Sequence, residues 1–241
     1  FARQLLKDLC LVGGYDQLYP KVKAFLRDHL FTGPVALDDP VILRNLSEPE
    51  VSKVLFDHFR AAINALPIHD SGSSRIEGQI RLRDTRPFRT EPRGFLLAKR
   101  SVFNRIVGEG RADGLELAFA SFLETAPDVQ AFGKNYMAVG FKLDYVKANG
   151  DLSTYTPDFM VRTTDAGVWI VETKGRVELD VPQKMARLKQ WCADATDASR
   201  SENTREGGTR YGFVYVDQES FEQHKPSSFA GLASTFREYQ T

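Results

Sequence analysis

Between Val139 and Lys174 apolar and polar residues alternate along short stretches, broken twice by tight-turn sequences, Asn149-Gly150 and Asp165-Ala166-Gly167. Alternation sends successive side chains to opposite faces of a strand, and Asn-Gly favours the two-residue hairpin whose twist matches its flanking strands. The pattern predicts three sequential strands: Val139–Val146, a return from about Ser153 to Arg162, and Val168–Lys174. Gly114–Ala126 precedes them as a helix with Leu115, Phe119, Phe122 and Leu123 on one face. Asp180–Ala195 follows as a second helix with Met185, Leu188 and Trp191 on one side. Ser199–Gly208 is polar and reads as a loop. Tyr211–Val216 reads as a buried strand and Phe229–Tyr239 as a closing helix. The expected class is α/β, a mixed sheet flanked by helices, preceded by a helical N-terminal region.

That N-terminal region carries apolar residues at three- and four-residue spacing over Arg3–Leu11, Tyr19–Leu30 and Val51–Leu66. Pro34, Pro40 and Pro49 punctuate it, and Ser47 followed by Glu50 resembles a capping box opening the third helix. His29, His58 and His69 share no ligand spacing and read as packing or surface residues. Residues 71–76, Ser-Gly-Ser-Ser-Arg-Ile, read as a linker start. The expected division is therefore residues 1–74 as a helical connector and 75–241 as the domain that carries chemistry.

Composition limits the function classes. With 241 residues, 42% hydrophobic and 27% charged, the chain has the makeup of a folded globular protein. No apolar run approaches the roughly 18 residues that span a bilayer, so no membrane partner is expected. Cys10 and Cys192 fit neither a disulfide framework nor a zinc site, which favours a reducing cytoplasm. The chain begins at Phe1 without a signal-peptide pattern and reads as a segment of something longer. Basic and acidic residues balance at 32 each, so nucleic-acid affinity has to come from local charge. Arg75–Arg105 supplies some: nine basic residues (Arg75, Arg81, Arg83, Arg86, Arg89, Arg93, Lys99, Arg100, Arg105) face three acids (Glu77, Asp84, Glu91), a local charge of +6. Such a strip is either phosphate-facing or a solvated face paired with the acids of residues 109–128.

The chemistry-bearing residues are Pro157-Asp158 on the second strand and Glu172-Thr173-Lys174 ending the third. Alternation turns Glu172 and Lys174 to one face and Thr173 to the other, and the Asp165–Gly167 turn brings Asp158 alongside Glu172. Two carboxylates with a lysine make a hard oxygen site with a cationic neighbour, which suits Mg²⁺, an ion that takes one or two carboxylates plus waters and phosphate oxygens. Lys174 can then orient or deprotonate an attacking water, or neutralise charge on phosphate. The competing reading is a surface turn whose acid and lysine form an exposed ion pair.

Asp158, Glu172 and Lys174 resemble the signature of the PD-(D/E)xK nuclease superfamily. The likeness is closest to the C-terminal endonuclease region of type III restriction enzyme Res subunits and similar helicase–nuclease proteins. It is carried by Lys99-Arg-Ser-Val-Phe-Asn-Arg105, Leu115-Glu116-Leu-Ala-Phe-Ala120, Tyr155-Thr-Pro-Asp-Phe159 and Val171-Glu-Thr-Lys-Gly175, with Lys184 and Trp191-Cys192 on the next helix, and it covers roughly residues 80–220. The resemblance implies a PD-(D/E)xK core, in the order helix, three strands, helix, strand. It implies Asp158 and Glu172 as metal ligands, the Thr173 carbonyl as a third, and Lys174 as the catalytic lysine. Glu116 matches the acid on the first core helix that helps hold water at the metal, with Glu124, eight residues on, as the alternative. Arg81, Arg83, Arg86 and Lys184 would contact DNA. Tyr155, three residues before Asp158, falls on the opposite face by simple alternation and is expected to pack.

The activity so implied is Mg²⁺-dependent hydrolysis of double-stranded DNA, with Mn²⁺ as a substitute, within an ATP-driven restriction or phage-defence machine of a prokaryotic cytoplasm. Its partners would be an upstream helicase/ATPase region and a methyltransferase-type specificity subunit. None of the motor's motifs is present: Gly108-Glu-Gly110 followed by Gly114 fits neither a Walker A loop nor a GxGxxG turn. A nuclease-fold module that docks DNA without turnover is the alternative, and an unrelated scaffold whose helical half binds a protein is a third. No Ser-His-Asp order, GxSxG elbow or CxxC pair supports another chemistry.

Overall fold

The computed structural model describes residues 1–9, 14–66, 78–90, 94–108, 114–175, 179–202 and 208–240. They fall into two compact units, Phe1–Asp70 with Asp144–Thr154, and Ser71–Leu143 with Tyr155–Thr241. The expected linker at 71–76, Cys10 and the Gly108–Gly114 turn beyond Gly108 lie outside the described residues, as do Arg75, Glu77, Glu91 and Arg93 of the basic strip.

The first unit holds four helices where the apolar spacing predicted three: α1 (Ala2–Asp8), α2 (Tyr15–Asp28), α3 (Pro40–Ser47) and α4 (Pro49–Asn64). Pro40 and Pro49 each occupy a first helical turn, where a missing N–H costs nothing. Asp39 caps α3 by accepting from Val41 N. The capping box at Ser47 does not form. Ser47 ends α3 and its hydroxyl donates to Leu43 O, while Glu48 caps α4 without a side-chain hydrogen bond. Phe1, Phe25, Phe56 and Phe59 cluster between α1, α2 and α4, with the Phe1 and Phe56 rings 4.3 Å apart.

The second unit opens with a short hairpin, β1 (Phe95–Leu97) and β2 (Arg105–Val107), followed by α5 (Leu115–Thr125). Next comes β3 (Val129–Lys134), a strand that the alternation did not predict. The expected strand Val139–Val146 shortens to β4 (Leu143–Val146), and the expected return Ser153–Arg162 divides at Thr156-Pro157-Asp158 into β5 (Leu152–Tyr155) and β6 (Phe159–Thr163). β4 and β5 pair around Asn149-Gly150 as a separate two-stranded sheet whose Asp144–Thr154 stretch belongs to the first unit, and Gly150 there takes a φ of 88° that only glycine adopts without strain. The Asp165–Gly167 turn then leads into β7 (Val168–Lys174).

After β7 come α6 (Val181–Glu202), β8 (Tyr211–Asp217), α7 (Gln218–His224) and α8 (Phe229–Thr235). α6 extends past the expected end at Ala195, so residues 199–202 are helical rather than loop, and residues 203–207 lie outside the described set. The closing helix ends at Thr235, four residues before Tyr239.

The main sheet runs β3-β6-β7-β8. β6 is antiparallel to both β3 and β7, whereas β7 and β8 are parallel and joined through α6. The unit is thus α/β with a mixed sheet, in the order helix, three strands, helix, strand. β3, not the segment from Val139, supplies the first of those strands. Phe119 and Leu123 of α5 pack with Phe132, Phe159, Val161, Val171, Val214 and Val216 on one sheet face. Complete burial of side chains this size stabilises by about 1.5–3 kcal/mol each. α6 packs against β8 with Met185, Leu188 and Cys192 buried. Among the described residues, no helix is long and apolar enough to cross a membrane.

Candidate active site

The β6–β7 register sets the site. Phe159 lies opposite Val171, so one step further brings Asp158 to Glu172. Asp158 N donates to Val171 O at 3.0 Å, extending the ladder past the strand end. Thr173 then fixes the Asp158 carboxylate. Its backbone N–H and its hydroxyl both donate to Asp158 Oδ2, at 2.7 and 2.8 Å. Asp158 Oδ1 accepts no hydrogen bond among the described residues. Thr173 was expected to contribute a carbonyl; the groups it turns to Asp158 are its N–H and hydroxyl.

Glu172 is 2% exposed, and two donors reach it. Lys174 Nζ stands 3.2 Å from Oε1, as expected for side chains two apart on one strand. The Tyr155 hydroxyl donates to Oε2 at 3.0 Å. Tyr155 therefore belongs to the site, contrary to the alternation argument. That argument assumed one continuous strand from Ser153 to Arg162, whereas the chain leaves strand geometry at Thr156-Pro157-Asp158. Pro157 beside the acid was the available signal, since proline has no N–H for a ladder.

Glu116, on the first turn of α5, accepts from Lys134 Nζ at 2.7 Å. Lys134, 3% exposed, also donates to Val107 O. Glu116 stands near enough to Asp158 for its charge to raise the pKa of that acid. Glu124 does something else: it accepts from the backbone N–H groups of Lys99 and Arg100 and so holds the turn before β2. Of the two candidate helix acids, the one facing Asp158 is Glu116. Asn135, following Lys134, donates from Nδ2 to Pro157 O and from its backbone to Asp158 O, fastening the end of β3 to the Asp158 segment.

The electrostatics follow from burial. Desolvation pushes Asp158 up to about 6, with Thr173's hydrogen bonds and the Lys174 charge opposing and Glu116 adding. Desolvation, then the Asp158 charge, pushes Glu172 up to about 8 against the pull of Lys174 and Tyr155. Tyr155 is raised well above its ordinary value by its own burial and by the Glu172 charge. Asp158 and Glu172, both raised by burial, lie side by side at the sheet end. Ionising both in a desolvated site is costly unless a proton or a cation joins them. A divalent cation fits this donor set: Asp158 Oδ1 is available and Glu172 is adjacent. Among the described residues no three His, Cys, Asp or Glu side chains form a protein-only cage, and Mg²⁺ sites commonly use one or two carboxylates with waters.

The remaining candidates lie apart from these contacts. Arg81, Arg83 and Arg86 are exposed on the segment before β1; Arg81 donates to Gln79, and Arg83 stands 3.9 Å from Asp84. Arg100 donates to the carbonyls of Ala126 and Val129, and Arg105 lies over the Phe95 ring, so both serve packing. Among the described residues, no ion pair joins the strip to the acids of residues 114–128. Lys184 sits half-buried in the first turn of α6. Burial raises the Cys192 thiol to about 12, which leaves it unreactive. Comparison with models of known protein families, with curated proteins and with solved structures found no match to this chain.

Proposed function

We propose that the second unit is a Mg²⁺-dependent endonuclease with a PD-(D/E)xK core that hydrolyses phosphodiester bonds of double-stranded DNA. The observation that carries this reading is the convergence of Asp158, Glu172 and Lys174 at one end of a mixed sheet whose elements run helix, three strands, helix, strand. An exposed ion pair on a surface turn, the bland alternative, does not describe a glutamate that is 2% exposed.

A divalent cation bound by Asp158 and Glu172 would supply Lewis acidity toward a phosphoryl oxygen and lower the pKa of water beside it. The chain's own residues do the rest. Thr173 holds Asp158 Oδ2 with two hydrogen bonds, and Oδ1 would be the oxygen offered to a cation. Tyr155 and Lys174 orient Glu172 from its two sides. Hydrolysis joins a water oxygen to phosphorus and breaks one ester bond, and the leaving oxygen takes up a proton. Lys174, 23% exposed, is the cation of the site with access to solvent. Its ammonium orients the water and neutralises charge growing on the phosphate. Glu116, kept in place by Lys134, accepts from water on the Asp158 side.

On the type III-like resemblance, this module would act in a prokaryotic cytoplasm, downstream of an ATP-driven helicase region and beside a methyltransferase-type specificity subunit, within a restriction or phage-defence system. The test pairs cleavage with linkage. Mg²⁺ and Mn²⁺ should support hydrolysis and raise the melting temperature of the native chain, and neither effect should survive Asp158→Ala. DNA binding with no cleavage under any divalent ion would assign the non-hydrolytic docking module instead.

A further inference from the structure

Leu82 and Phe88 lie within the arginine-rich segment Arg81–Arg89, and both are fastened to the same place. The Leu82 side chain lies over the backbone of Gly133, so close that a Cβ there would stand 3.0 Å from Leu82 Cδ1. The Phe88 ring meets Tyr136 at 5.0 Å and Phe103 at 5.9 Å, and those two rings meet each other at 5.4 Å. Gly133 and Tyr136 flank Lys134 and Asn135, the residues that grip Glu116 and the Asp158 segment. The segment 81–89 is therefore pinned at two points to the strand end that carries the candidate active site.

Between and beside the pins stand Arg81, Arg83, Arg86 and Arg89, all exposed. Among the described residues, the sole carboxylate within 4 Å of these guanidinium groups is Asp84, at 3.9 Å from Arg83. Four arginines against one acid in nine residues is a strong local charge in a chain that is neutral overall. A backbone held by half-buried Leu82 and by the Phe88 ring on Tyr136 and Phe103, with exposed arginines along it, forms a track for a regularly spaced polyanion.

We infer that Arg81–Arg89 is a fixed phosphate track that grips the backbone of duplex DNA and sets one strand against the Asp158–Glu172–Lys174 site. The inference rests on the hydrolytic reading of that site and adds how the substrate is held. Guanidinium groups bound to phosphate supply affinity without reading sequence. The Leu82 and Phe88 anchors supply position, so charge and anchoring are separable.

The experiment measures binding of an arbitrary duplex by fluorescence anisotropy in chelator, across a salt series, and cleavage of the same duplex in Mg²⁺. Replacing Arg83, Arg86 and Arg89 together with Gln should weaken binding and flatten the log–log salt slope. The expected reduction is about 0.9 for each phosphate that the variant no longer neutralises, about 2–3 in total. Phe88→Ala keeps every charge but frees one anchor. It should leave binding within about threefold while lowering cleavage by tenfold or more. An unchanged salt slope in the triple variant, or equal loss of binding and cleavage in Phe88→Ala, overturns the track. A native chain that binds with the arginine-dependent slope yet never cleaves removes the hydrolytic reading and leaves the track as a DNA-docking surface. Cleavage that is indifferent to all three arginines removes the track and leaves the hydrolytic reading.

Discussion

The Tyr155 hydroxyl donates to Glu172 Oε2 across 3.0 Å, and both side chains are buried. Removing this donor leaves a buried carboxylate oxygen short of a partner, which costs about 1–3 kcal/mol. Tyr155→Phe should therefore destabilise the chelated protein by about that amount at pH 9, where Glu172 is ionised. It should also raise the Glu172 midpoint, because the hydroxyl favours the ionised acid. Urea unfolding and a carboxyl NMR titration check the two effects, and unchanged values in both would remove Tyr155 from the site.

Burial raises Asp158 to about 6 and Glu172 to about 8, both above the values of an unfolded chain. Each acid then binds its proton more tightly in the folded protein. The stability this brings is full below about pH 4 and is lost as pH rises through 6 and 8. In chelator the protein should unfold at lower urea at pH 9 than at pH 6, and Glu172→Gln should flatten the upper part of that slope. Mg²⁺ should stabilise most at high pH, where its ligands are deprotonated. A chelated protein whose stability rises from pH 6 to pH 9 would contradict the buried-carboxylate account.

Lys134 and Glu116 form an ion pair with side chains 3% and 18% exposed. Removing one member of a buried pair costs about 3–5 kcal/mol, while replacing both is far milder. Glu116 keeps some solvent, so Lys134→Met should cost about 2–3 kcal/mol, with much of it recovered in Lys134→Met/Glu116→Leu. Chemical denaturation of the double-mutant cycle measures this, and additive losses would show that the two side chains do not support each other.

Those residues also mark what the sequence could and could not yield. α5, β7 and β8 were legible because their apolar residues keep helical or strand spacing over the whole element, as Leu115, Phe119 and Leu123 do. β3 was not. Its adjacent apolar Ala131 and Phe132 break the alternation, next to a register shift between Val129 and Ala131, and Lys134 reads as a surface lysine although it is buried on Glu116. The Asp158–Glu172 pairing was legible from the Asp165–Gly167 turn, which fixes register between neighbouring strands. Tyr155 was not, because alternation is a rule for continuous strands and Pro157 ends one. The end of α6 was missed for a related reason: beyond Cys192 polar and small residues dominate, and the apolar spacing that marked its start fades.

A second consequence concerns strand count. On the proposed hydrolytic reading, one Asp158–Glu172–Lys174 site would attack one phosphodiester at a time, so a double-strand break would need two copies of the chain or two visits. On supercoiled plasmid, nicked circles should precede linear product, and linear product should rise more steeply than in proportion to protein. First-order linearisation at one defined site would show that pairing and recognition already reside in this chain.

In the proposed function Lys174 completes a metal-dependent hydrolytic site with Asp158 and Glu172. The most direct measurement is conversion of supercoiled plasmid to nicked circles by the native chain and by Lys174→Ala, each in Mg²⁺ and in chelator. The native chain should nick in Mg²⁺ and not in chelator, and Lys174→Ala should lose at least a hundredfold while its fold and DNA binding persist. Equal nicking by both proteins, or nicking that continues in chelator, would contradict the proposed function.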